Sequence, residues 1–466
     1  MSLRNTLNSL TEYLPKGFVK IGENFYKRLP YRYRYGTSYR ETMRLILESQ
    51  HWNQEQLESY QLNQLKRLIS HAIKNVPFYQ KLYKGFDPRE LSSVNDIHLL
   101  PYTSKDDLRL HREELRSQNY PLSAFQYHTT GGSTGKPVGL YWQTDKTVPM
   151  EKAFMKRQFG WIGHNMELDK SINIRGIPPS KGKRFEYINK RQLNLSSYHL
   201  TPDMLNYYIE LINDFEPKAL YAYPSTALIL SRHLIDTKQS LPTIKFILCG
   251  SEHLLDWQRK TLQEAFNARI YSWYGQSEYV SLAGECEHST EYHFYSEYGV
   301  TEILGKEGKA CGPGETGEIV ATGFLNEAFP LIRYRTEDFA TLSSKETCSC
   351  HRAYKRAEKI DGRLQEMIVS KDKNLISMTA INMHDDVFDE LWQFQFFQHI
   401  PGQITMKIVP KIEAQSLNVA RITEALKQKL GNQFEITIEV VKAIEPTQRG
   451  KTTFLVQKIP IKNLIT

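Results

Sequence analysis

Residues 244–278 read IKFILCGSEHLLDWQRKTLQEAFNARIYSWYGQSE, and this stretch decides which fold the chain can adopt. Its first part, 244–249, is a short apolar run that predicts a buried strand. The apolar residues of 255–266 recur at helical spacing, and 269–273 predicts a second strand. A strand, a helix and a strand in succession are typical of a parallel sheet with helices on its faces.

The same alternation is found on the N-terminal side of this stretch. Thr201-Pro202-Asp203 carries a helix-capping hydroxyl followed by proline, which predicts the start of a helix. A strand at 219–223 and a helix at 226–236 follow. Further upstream, apolar residues three or four apart predict an amphipathic helix from about 52 to 72. The fold class is therefore α/β, with mixed and parallel sheets flanked by helices.

The C-terminal part has a different pattern. Residues 403–460 predict a strand, a helix at 419–430 that Gly431 ends, a second strand, a loop and a last strand. This order is typical of a small α+β domain that follows the large N-terminal one.

The composition permits an enzyme of two or more domains. The 466 residues are 40% hydrophobic and 12% aromatic, which is enough for substantial cores. The net charge of +8 is mild, and no basic block stands out beyond the Arg/Tyr cluster from Arg28 to Arg40. We therefore do not expect a nucleic-acid partner, and the positive charge is as well explained by steering of an anionic substrate.

The sequence indicates a cytoplasmic protein. No apolar run approaches the length of a membrane span, and charged residues interrupt the first 21 residues, which argues against a signal peptide and a transmembrane segment. Leucines near the N-terminus do recur at helical spacing beside basic residues, so that contact with the inner membrane face is the alternative to packing on the protein body. A homodimer is compatible with the sequence.

Residues 128–140, HTTGGSTGKPVGL, resemble a phosphate-binding loop. Thr130 stands where a Walker A loop has glycine, and Pro137 stands where it has Ser or Thr, so that assignment is excluded. An ordinary surface loop is the alternative. The backbone and side-chain donors for phosphate are Thr130, Gly131, Gly132, Ser133, Thr134, Gly135 and Lys136.

Two further motifs follow the predicted strands. Gly250-Ser251-Glu252 comes after the first strand, and Tyr274-Gly275-Gln276-Ser277-Glu278 comes after the second. An aromatic ring can stack on adenine, a hydroxyl can contact phosphate, and a carboxylate can bind Mg²⁺. The alternative is a pair of strand-ending turns. In parallel sheets, however, ligands bind at the carboxyl ends of the strands.

The chain has five cysteines and no secretion signal, which favours free thiols or a metal site over disulfides. Cys348 and Cys350 are separated by one residue, and with Cys286 and one histidine they would form a tetrahedral zinc site. The pattern does not decide whether His288, His293 or His351 is the fourth ligand. The alternative to a zinc site is a set of unrelated free cysteines. Such a site has no open position, so its zinc would be structural.

In their order along the chain, these motifs resemble those of adenylate-forming enzymes, the superfamily of acyl-CoA synthetases and luciferases. The loop at 128–140 and the motif at 274–278 match the superfamily patterns for the phosphate loop and the Tyr-Gly-x-Thr/Ser-Glu segment. Residues 332–338, IRYRTED, are similar to the ribose-binding Tyr-Arg-Thr-Gly-Asp motif, and 362–368, GRLQEMI, to the interdomain hinge. Residues 448–451, QRGK, are similar to the loop that carries the catalytic lysine.

Within the superfamily, residues 50–106 are similar to phenylacetate-CoA ligase-like proteins, most of all to capsular polysaccharide biosynthesis proteins of the CapK type. The resemblance extends from about Gln50 to Lys458. It implies an AMP-forming ligase of bacterial surface-polysaccharide synthesis, with ATP, Mg²⁺, structural zinc and CoA as the groups bound. It also implies a helical N-terminal part at 1–105, an adenylate-forming core at 106–362 and a lid domain at 363–466, and it favours His293 as the zinc ligand.

The resemblance implies a role for each motif. Ser133, Thr134 and Lys136 would hold the departing phosphates, and Glu278 the Mg²⁺. Asp338 would bind the ribose, and Lys451 the α-phosphate. The lid would rotate about Gln365 to admit the acceptor, and Arg363, in the same hinge motif, would contribute to cofactor binding. Residues 221–225 would contribute to the pocket for the carboxylic acid.

Two positions depart from the family pattern. Gln365 stands where relatives have Asp, and Glu337 stands where they have Gly. The extra carboxylate of Glu337 is expected to weaken ATP binding unless it faces solvent or pairs with Arg333 or Arg335. Two other functions therefore stay open: an acyl-adenylate-dependent transferase to an amine, hydroxyl or carrier protein without CoA, and an inactive scaffold of a capsule-assembly complex.

Overall fold

The computed structural model describes most of the chain, and the fold that follows is that of the described residues. These are 29–130, 138–143, 145–175, 183–197, 200–361, 367–377, 386–388, 390–410, 417–444 and 455–459. The N-terminal leucine pattern, the hinge and the lysine loop at 448–451 lie outside them. Among the described residues, no helix combines the length and the hydropathy needed to cross a bilayer.

The helices of the large N-terminal part surround its sheets, and their caps follow the sequence signals. Asn53 opens the long helix α3 through a capping box with Gln56, and Thr201 accepts a hydrogen bond from the Met204 N–H at the start of α7. The helices are α1 (Tyr31–Arg34), α2 (Gly36–Ser49), α3 (Gln54–Asn75), α4 (Pro77–Leu82), α5 (Lys105–Leu110), α6 (Thr147–Trp161), α7 (Pro202–Phe215), α8 (Pro224–Thr237) and α9 (Asp256–Phe266).

A hairpin and a twelve-stranded mixed sheet form the β structure of this part. In the hairpin, β1 (Phe125–Thr130) pairs antiparallel with β2 (Val138–Gln143). The strands of the large sheet are β3 (Ser171–Ile174), β4 (Phe185–Asn189), β5 (Gln192–Leu195), β6 (Ala219–Ala222), β7 (Phe246–Gly250), β8 (Arg269–Gly275), β9 (Leu282–Gly284), β10 (Tyr292–Phe294), β11 (Gly299–Leu304), β12 (Thr316–Gly323), β13 (Tyr334–Leu342) and β14 (Lys355–Asp361).

The large sheet is parallel on one side and antiparallel on the other. Its order is β11-β12-β13-β14-β10-β9-β8-β7-β6-β3-β5-β4, and the run from β8 to β5 is parallel. The predicted α/β fold is therefore confirmed. Strand β8 is longer than predicted because Tyr274 and Gly275 pair with Ala283 and Leu282 of β9.

Two hydrophobic cores cover the two faces of the parallel strands. Ile172 and Ile174 of β3 contribute to a core on one face that includes residues of α7, α8 and α9. Tyr221 of β6 and Trp273 of β8 contribute to the other, which includes residues of α2 and α6. Because side chains alternate along a strand, β6, β7 and β8 supply residues to both cores.

A buried ion pair joins α6 to the antiparallel side of the large sheet. Arg157 on α6 donates to Glu297 at 3.0 Å, and the two side chains are 1% and 0% exposed. Tyr354 donates to the same Glu297 carboxylate at 2.8 Å and accepts a hydrogen bond from Arg157 at 2.8 Å. Ser49, the last residue of α2, also contacts Glu297. Segments far apart in the sequence are thereby held by one carboxylate.

The C-terminal residues form a separate four-stranded sheet with its own core. The predicted helix and strands are confirmed, and Gly431 ends the helix with a φ of 64°. The sequence interpretation missed the strand that begins at Leu391. The elements are the hairpin β15 (Met367–Val369) and β16 (Leu375–Ser377), then β17 (Leu391–Gln398), β18 (Gln403–Pro410), α10 (Val419–Leu430), β19 (Glu435–Val440) and β20 (Leu455–Gln457).

The β15–β16 hairpin is attached to the four-stranded sheet by side-chain amides. Gln398, at the end of β17, accepts from the Val369 N–H at 2.6 Å and donates to the Val369 carbonyl at 2.7 Å. Gln457 of β20 donates to the Met367 carbonyl at 2.9 Å. The amide of Gln398 thus takes the place of a backbone pairing between the two sheets.

We expect Glu297→Gln to lower the free energy of unfolding by about 3–5 kcal/mol, because the substitution leaves the Arg157 guanidinium buried without its countercharge. The matched control is Glu114→Gln, which removes an exposed pair with Lys81 and should change the free energy of unfolding little. Urea denaturation measures both. Equal midpoints for the two variants would show that the buried pair does not stabilise the fold.

Candidate functional site

The two motifs that follow β7 and β8 lie at one edge of the sheet, because these strands are parallel neighbours. Ser251 adopts a left-handed conformation with a φ of 67°, which turns the chain sharply after Gly250. A Cβ at Gly250 would lie 2.5 Å from the ring of Trp273. Glycine is therefore required at 250, and the edge has the geometry in which parallel sheets bind ligands.

Tyr274 and Asp338 meet at this edge, although they belong to different motifs. The Tyr274 hydroxyl donates to Asp338 Oδ2 at 2.9 Å, and Gln276 donates to the same oxygen at 3.4 Å. Burial, and then the Asp338 charge, hold the pKa of Tyr274 well above its usual range, so the hydroxyl stays a donor. The structure thus brings together the side chains expected at adenine and at ribose.

Glu278 lies beside this pair and is also enclosed. It accepts a hydrogen bond from the Tyr334 hydroxyl at 3.2 Å. Burial raises the pKa of Glu278, and the nearby Lys105 opposes that shift. A carboxylate in these surroundings is stabilised by any additional cation, which is the property expected of a Mg²⁺ ligand.

Glu337 is 40% exposed and forms an ion pair with Lys105 at 3.0 Å. Arg333 binds Glu302 at 3.1 Å, and Arg335 binds Glu318 at 2.6 Å. The charge of Glu337 also acts on Arg335, so that the carboxylate is partly solvated and partly compensated, as expected for a position that does not weaken ATP binding.

The backbone of Glu337 has a φ of 65°, in the left-handed region that favours glycine. In this chain, therefore, the backbone at 337 has the conformation that glycine adopts without strain. Lys105 is a site residue that the sequence interpretation missed. It lies 232 positions from Glu337, and no local pattern connects two such residues.

Four predicted zinc ligands form one cluster. The ligand atoms of Cys286, His293, Cys348 and Cys350 lie within 4.8 Å of one another. The Sγ atoms of Cys286 and Cys348 are 3.6 Å apart, and Cys350 Sγ is 3.3 Å from His293 Nε2. Of the three histidines considered, the structure brings His293 to the cysteines, and neither His288 nor His351 is in the cluster.

Neighbouring groups orient these ligands. His293 Nδ1 is 3.0 Å from the Glu291 carbonyl, which leaves Nε2 facing the cysteines, and the His288 N–H donates to Cys286 Sγ at 3.4 Å. Hydrogen bonds from Cys286 and then from His293 lower the pKa of the Cys350 thiol. Such an arrangement favours the thiolate, which is the form that binds metal.

Several predicted site residues lie outside the described residues, and the structure does not place their side chains. Thr130 ends β1 opposite Val138 of β2, so the loop between them connects two paired strand ends. The predicted residues not placed are Gly131, Gly132, Ser133, Thr134, Gly135, Lys136, Arg363, Gln365 and Lys451.

Comparisons with known proteins agree with this architecture. Residues 368–458 match the family model described as the CapK C-terminal domain. The chain is 25% identical over 470 residues to Protein CapK of Staphylococcus aureus, covering 97% of this chain and 100% of that protein. It is 27% identical to the phenylacetate-coenzyme A ligase of Thermus thermophilus over 338 residues, covering 69% of this chain and 73% of the relative.

A solved structure shows the same fold. A 2-hydroxyisobutyryl-CoA ligase, crystallised with its acyl-adenylate and CoA, superposes with a TM-score of 0.60 at 17% identity, covering 88% of this chain and 91% of the other. The chain therefore has the fold of an adenylate-forming ligase. In sequence, the chain is similar to the phenylacetate-CoA ligases and to the CapK-type proteins.

We expect Glu337→Gly to be at least as stable as the natural chain and about 1 kcal/mol more stable than Glu337→Ala. Both variants lose the pair with Lys105, but only glycine adopts the left-handed conformation without strain. Urea denaturation of the two variants measures the difference. If Glu337→Ala were as stable as Glu337→Gly, the left-handed conformation at this position would be refuted.

Proposed function

We propose that the chain activates a carboxylic acid with MgATP and transfers the acyl group to the thiol of CoA. The carboxylate attacks the α-phosphate of ATP, the bond to the β-phosphate breaks, and pyrophosphate leaves as the acyl-adenylate forms. The thiolate of CoA then attacks the acyl carbon and releases AMP. Relatives that carry the name phenylacetate-coenzyme A ligase support this type of AMP-forming reaction.

The contact between Tyr274 and Asp338 is the observation that carries the proposal. It places a flat aromatic ring and a free carboxylate oxygen next to each other at the carboxyl edge of the parallel strands. The ring suits a purine, and a carboxylate accepts hydrogen bonds from both hydroxyls of a ribose. A nucleotide bound there would lie with its phosphates towards Glu278.

The other roles are assigned by motif. Glu278 would hold Mg²⁺, whose remaining ligands would be phosphate oxygens and water. Thr134 and the rest of the loop from Gly131 to Lys136 would bind the departing pyrophosphate, and Lys451 would stabilise the negative charge at the α-phosphate. Rotation of the lid about Gln365 would then remove Lys451 and admit CoA.

The similarity to Protein CapK supports a role in the biosynthesis of a bacterial capsule or surface polysaccharide. We place the enzyme in the cytoplasm, where ATP and CoA are available. An acceptor other than CoA, such as an amine, a hydroxyl or a carrier-protein thiol, would use the same adenylate. The acceptor is therefore tested separately from the acid.

The adenylation step is tested by pyrophosphate release with ATP, Mg²⁺ and a panel of aryl, acyl, hydroxy and sugar acids. At least one acid should give pyrophosphate, and Lys451→Ala should reduce its rate by about 100-fold or more because a preorganised charge at the α-phosphate is lost. Addition of CoA should then convert the adenylate to a thioester, which is measured as loss of the free CoA thiol, since hydroxylamine would trap the adenylate as well as the thioester. If no acid exceeds the Lys451→Ala background, the ligase proposal fails.

We also propose that the cysteine–histidine cluster binds one structural zinc ion. Zinc–sulfur bonds of about 2.3 Å in a tetrahedron place two sulfurs about 3.8 Å apart, close to the separation of Cys286 and Cys348. Cys286 follows β9, His293 lies on β10, and both other cysteines precede β14. Since β10 pairs with β9 and with β14, the ion would fasten all three strands.

Protein purified without chelator should contain about one equivalent of zinc by elemental analysis. Cys286→Ser should lose most of it and unfold at a lower temperature, since a bound ion stabilises the folded state. Cys311→Ser is the matched control, because Cys311 lies outside the cluster in the described residues and should leave the zinc content unchanged. Less than about half an equivalent in the natural chain would contradict a zinc site.

A further inference from the structure

Arg175 lies at the carboxyl end of β3 and faces the same side of the sheet as two aromatic residues. Ile172 and Ile174 belong to the core on the opposite face, so alternation along the strand directs Arg175 to the face of Tyr221 and Trp273. Its guanidinium carbon is 5.5 Å from the Tyr221 ring and 5.3 Å from the Trp273 ring. The cation is therefore held between strands β6 and β8 above the sheet.

No carboxylate in the described part of the chain forms an ion pair with Arg175. The acidic residue nearest to Tyr221 in this network is Asp169, and it is already engaged by Lys218 at 3.1 Å and by His164 at 3.0 Å. His164 in turn contacts the Tyr221 hydroxyl at 2.8 Å. The contacts of Arg175 are thus made to aromatic rings, which attract a cation but do not neutralise it.

A second cation shares these surroundings. Lys152 on α6 is partly buried, and among the described residues it contacts the Tyr31 ring, at 5.9 Å, and forms no ion pair. Burial, and then the charge of Arg175, lower the pKa of Lys152 to about 8. The adjacent carboxylate of Glu151 opposes this shift, but two enclosed positive charges close together still repel each other, and such arrangements occur where an anion binds.

The position of Arg175 relative to the nucleotide indicates which anion this is. The backbone of β3 is three strand spacings from β8, about 14 Å at the usual spacing, but the guanidinium extends over β6 to 5.3 Å from the Trp273 ring. Tyr274, at the end of β8, is where the adenosine is proposed to bind, so Arg175 lies beside that site on the side of β6, whose end at residues 221–225 is expected to contribute to the acid pocket. An arginine bound to the reacting carboxylate would also reduce its nucleophilicity, which makes that carboxylate an unsuitable partner.

We propose that the acid carries a second anionic group, a carboxylate or a phosphate, which Arg175 binds with Lys152 close by. This inference rests on the proposed ligase function and specifies the chemical class of its substrate. The enzyme would then accept dianionic acids and discriminate against acids of equal length that end in a methyl or hydroxymethyl group.

The test compares matched pairs of acids in the pyrophosphate assay. Succinate is paired with butyrate, and 3-phosphoglycerate with glycerate, so that the two pairs distinguish a second carboxylate from a phosphate. The natural enzyme should favour the dianionic member of at least one pair. Arg175→Gln should lower kcat/KM for that acid by about 30-fold or more, as expected when one partner of an enclosed charge pair is removed, and should change the rate with its monoanionic partner little.

Arg175→Lys keeps the charge and should recover part of the preference, and Arg89→Gln is the control, since Arg89 is 91% exposed. Thermal unfolding distinguishes a role of Arg175 in anion binding from a structural role. Arg175→Met should not lower the unfolding temperature, because it removes an enclosed charge that has no ion pair within the described residues. A marked fall would show that Arg175 serves the fold.

The remaining outcomes separate this inference from the ligase proposal. Adenylation of monoanionic acids with no preference for dianions would overturn the inference and leave the ligase function intact. Equal losses with every acid in Arg175→Gln would assign Arg175 to ATP and also overturn it. If no acid is adenylated, calorimetric titration with succinate and 3-phosphoglycerate tests the anion site directly. Binding that is lost in Arg175→Gln would support the anion site without the ligase function. If neither compound binds, both proposals are overturned.

Discussion

The buried pair between Arg157 and Glu297 is the interaction on which the arrangement of the large domain depends. The Glu297 carboxylate also binds Tyr354 and Ser49. One carboxylate thereby joins helix α6, the end of α2 and the antiparallel side of the large sheet. Helix α6 also carries Lys152. The position of this cation near β3 and β6 is therefore set by a contact that takes no part in the chemistry.

The parts of the fold that the sequence predicts are those with local signals. The strand–helix–strand unit around α9 follows from apolar periodicity, and the start of α7 follows from the Thr201 cap and Pro202. Strand β17, LWQFQFFQ, was missed, although Phe394 and Phe396 are fully buried. Its pairings with β18 and β20 involve residues up to about sixty positions away, and no local signal carries that information.

The candidate site, like the fold, could be predicted from the sequence only in part. Tyr274 and Glu278 were proposed because they follow a predicted strand, and Asp338 was proposed because 332–338 resembles a ribose-binding motif. The contacts between them were not predictable, since they depend on how β8 and β13 are positioned in a sheet that separates them by three strands. Arg175 gave no signal at all, because a single arginine after a short strand is unremarkable until its surroundings are known.

The two amide contacts of Gln398 and Gln457 have a mechanical consequence. They attach the β15–β16 hairpin to the C-terminal sheet, so that the hairpin and the sheet behave as one rigid body. In the proposed rotation, the lid would carry Met367 and Val369 with it. The hairpin would therefore belong to the moving part, and its position relative to the C-terminal core would not change.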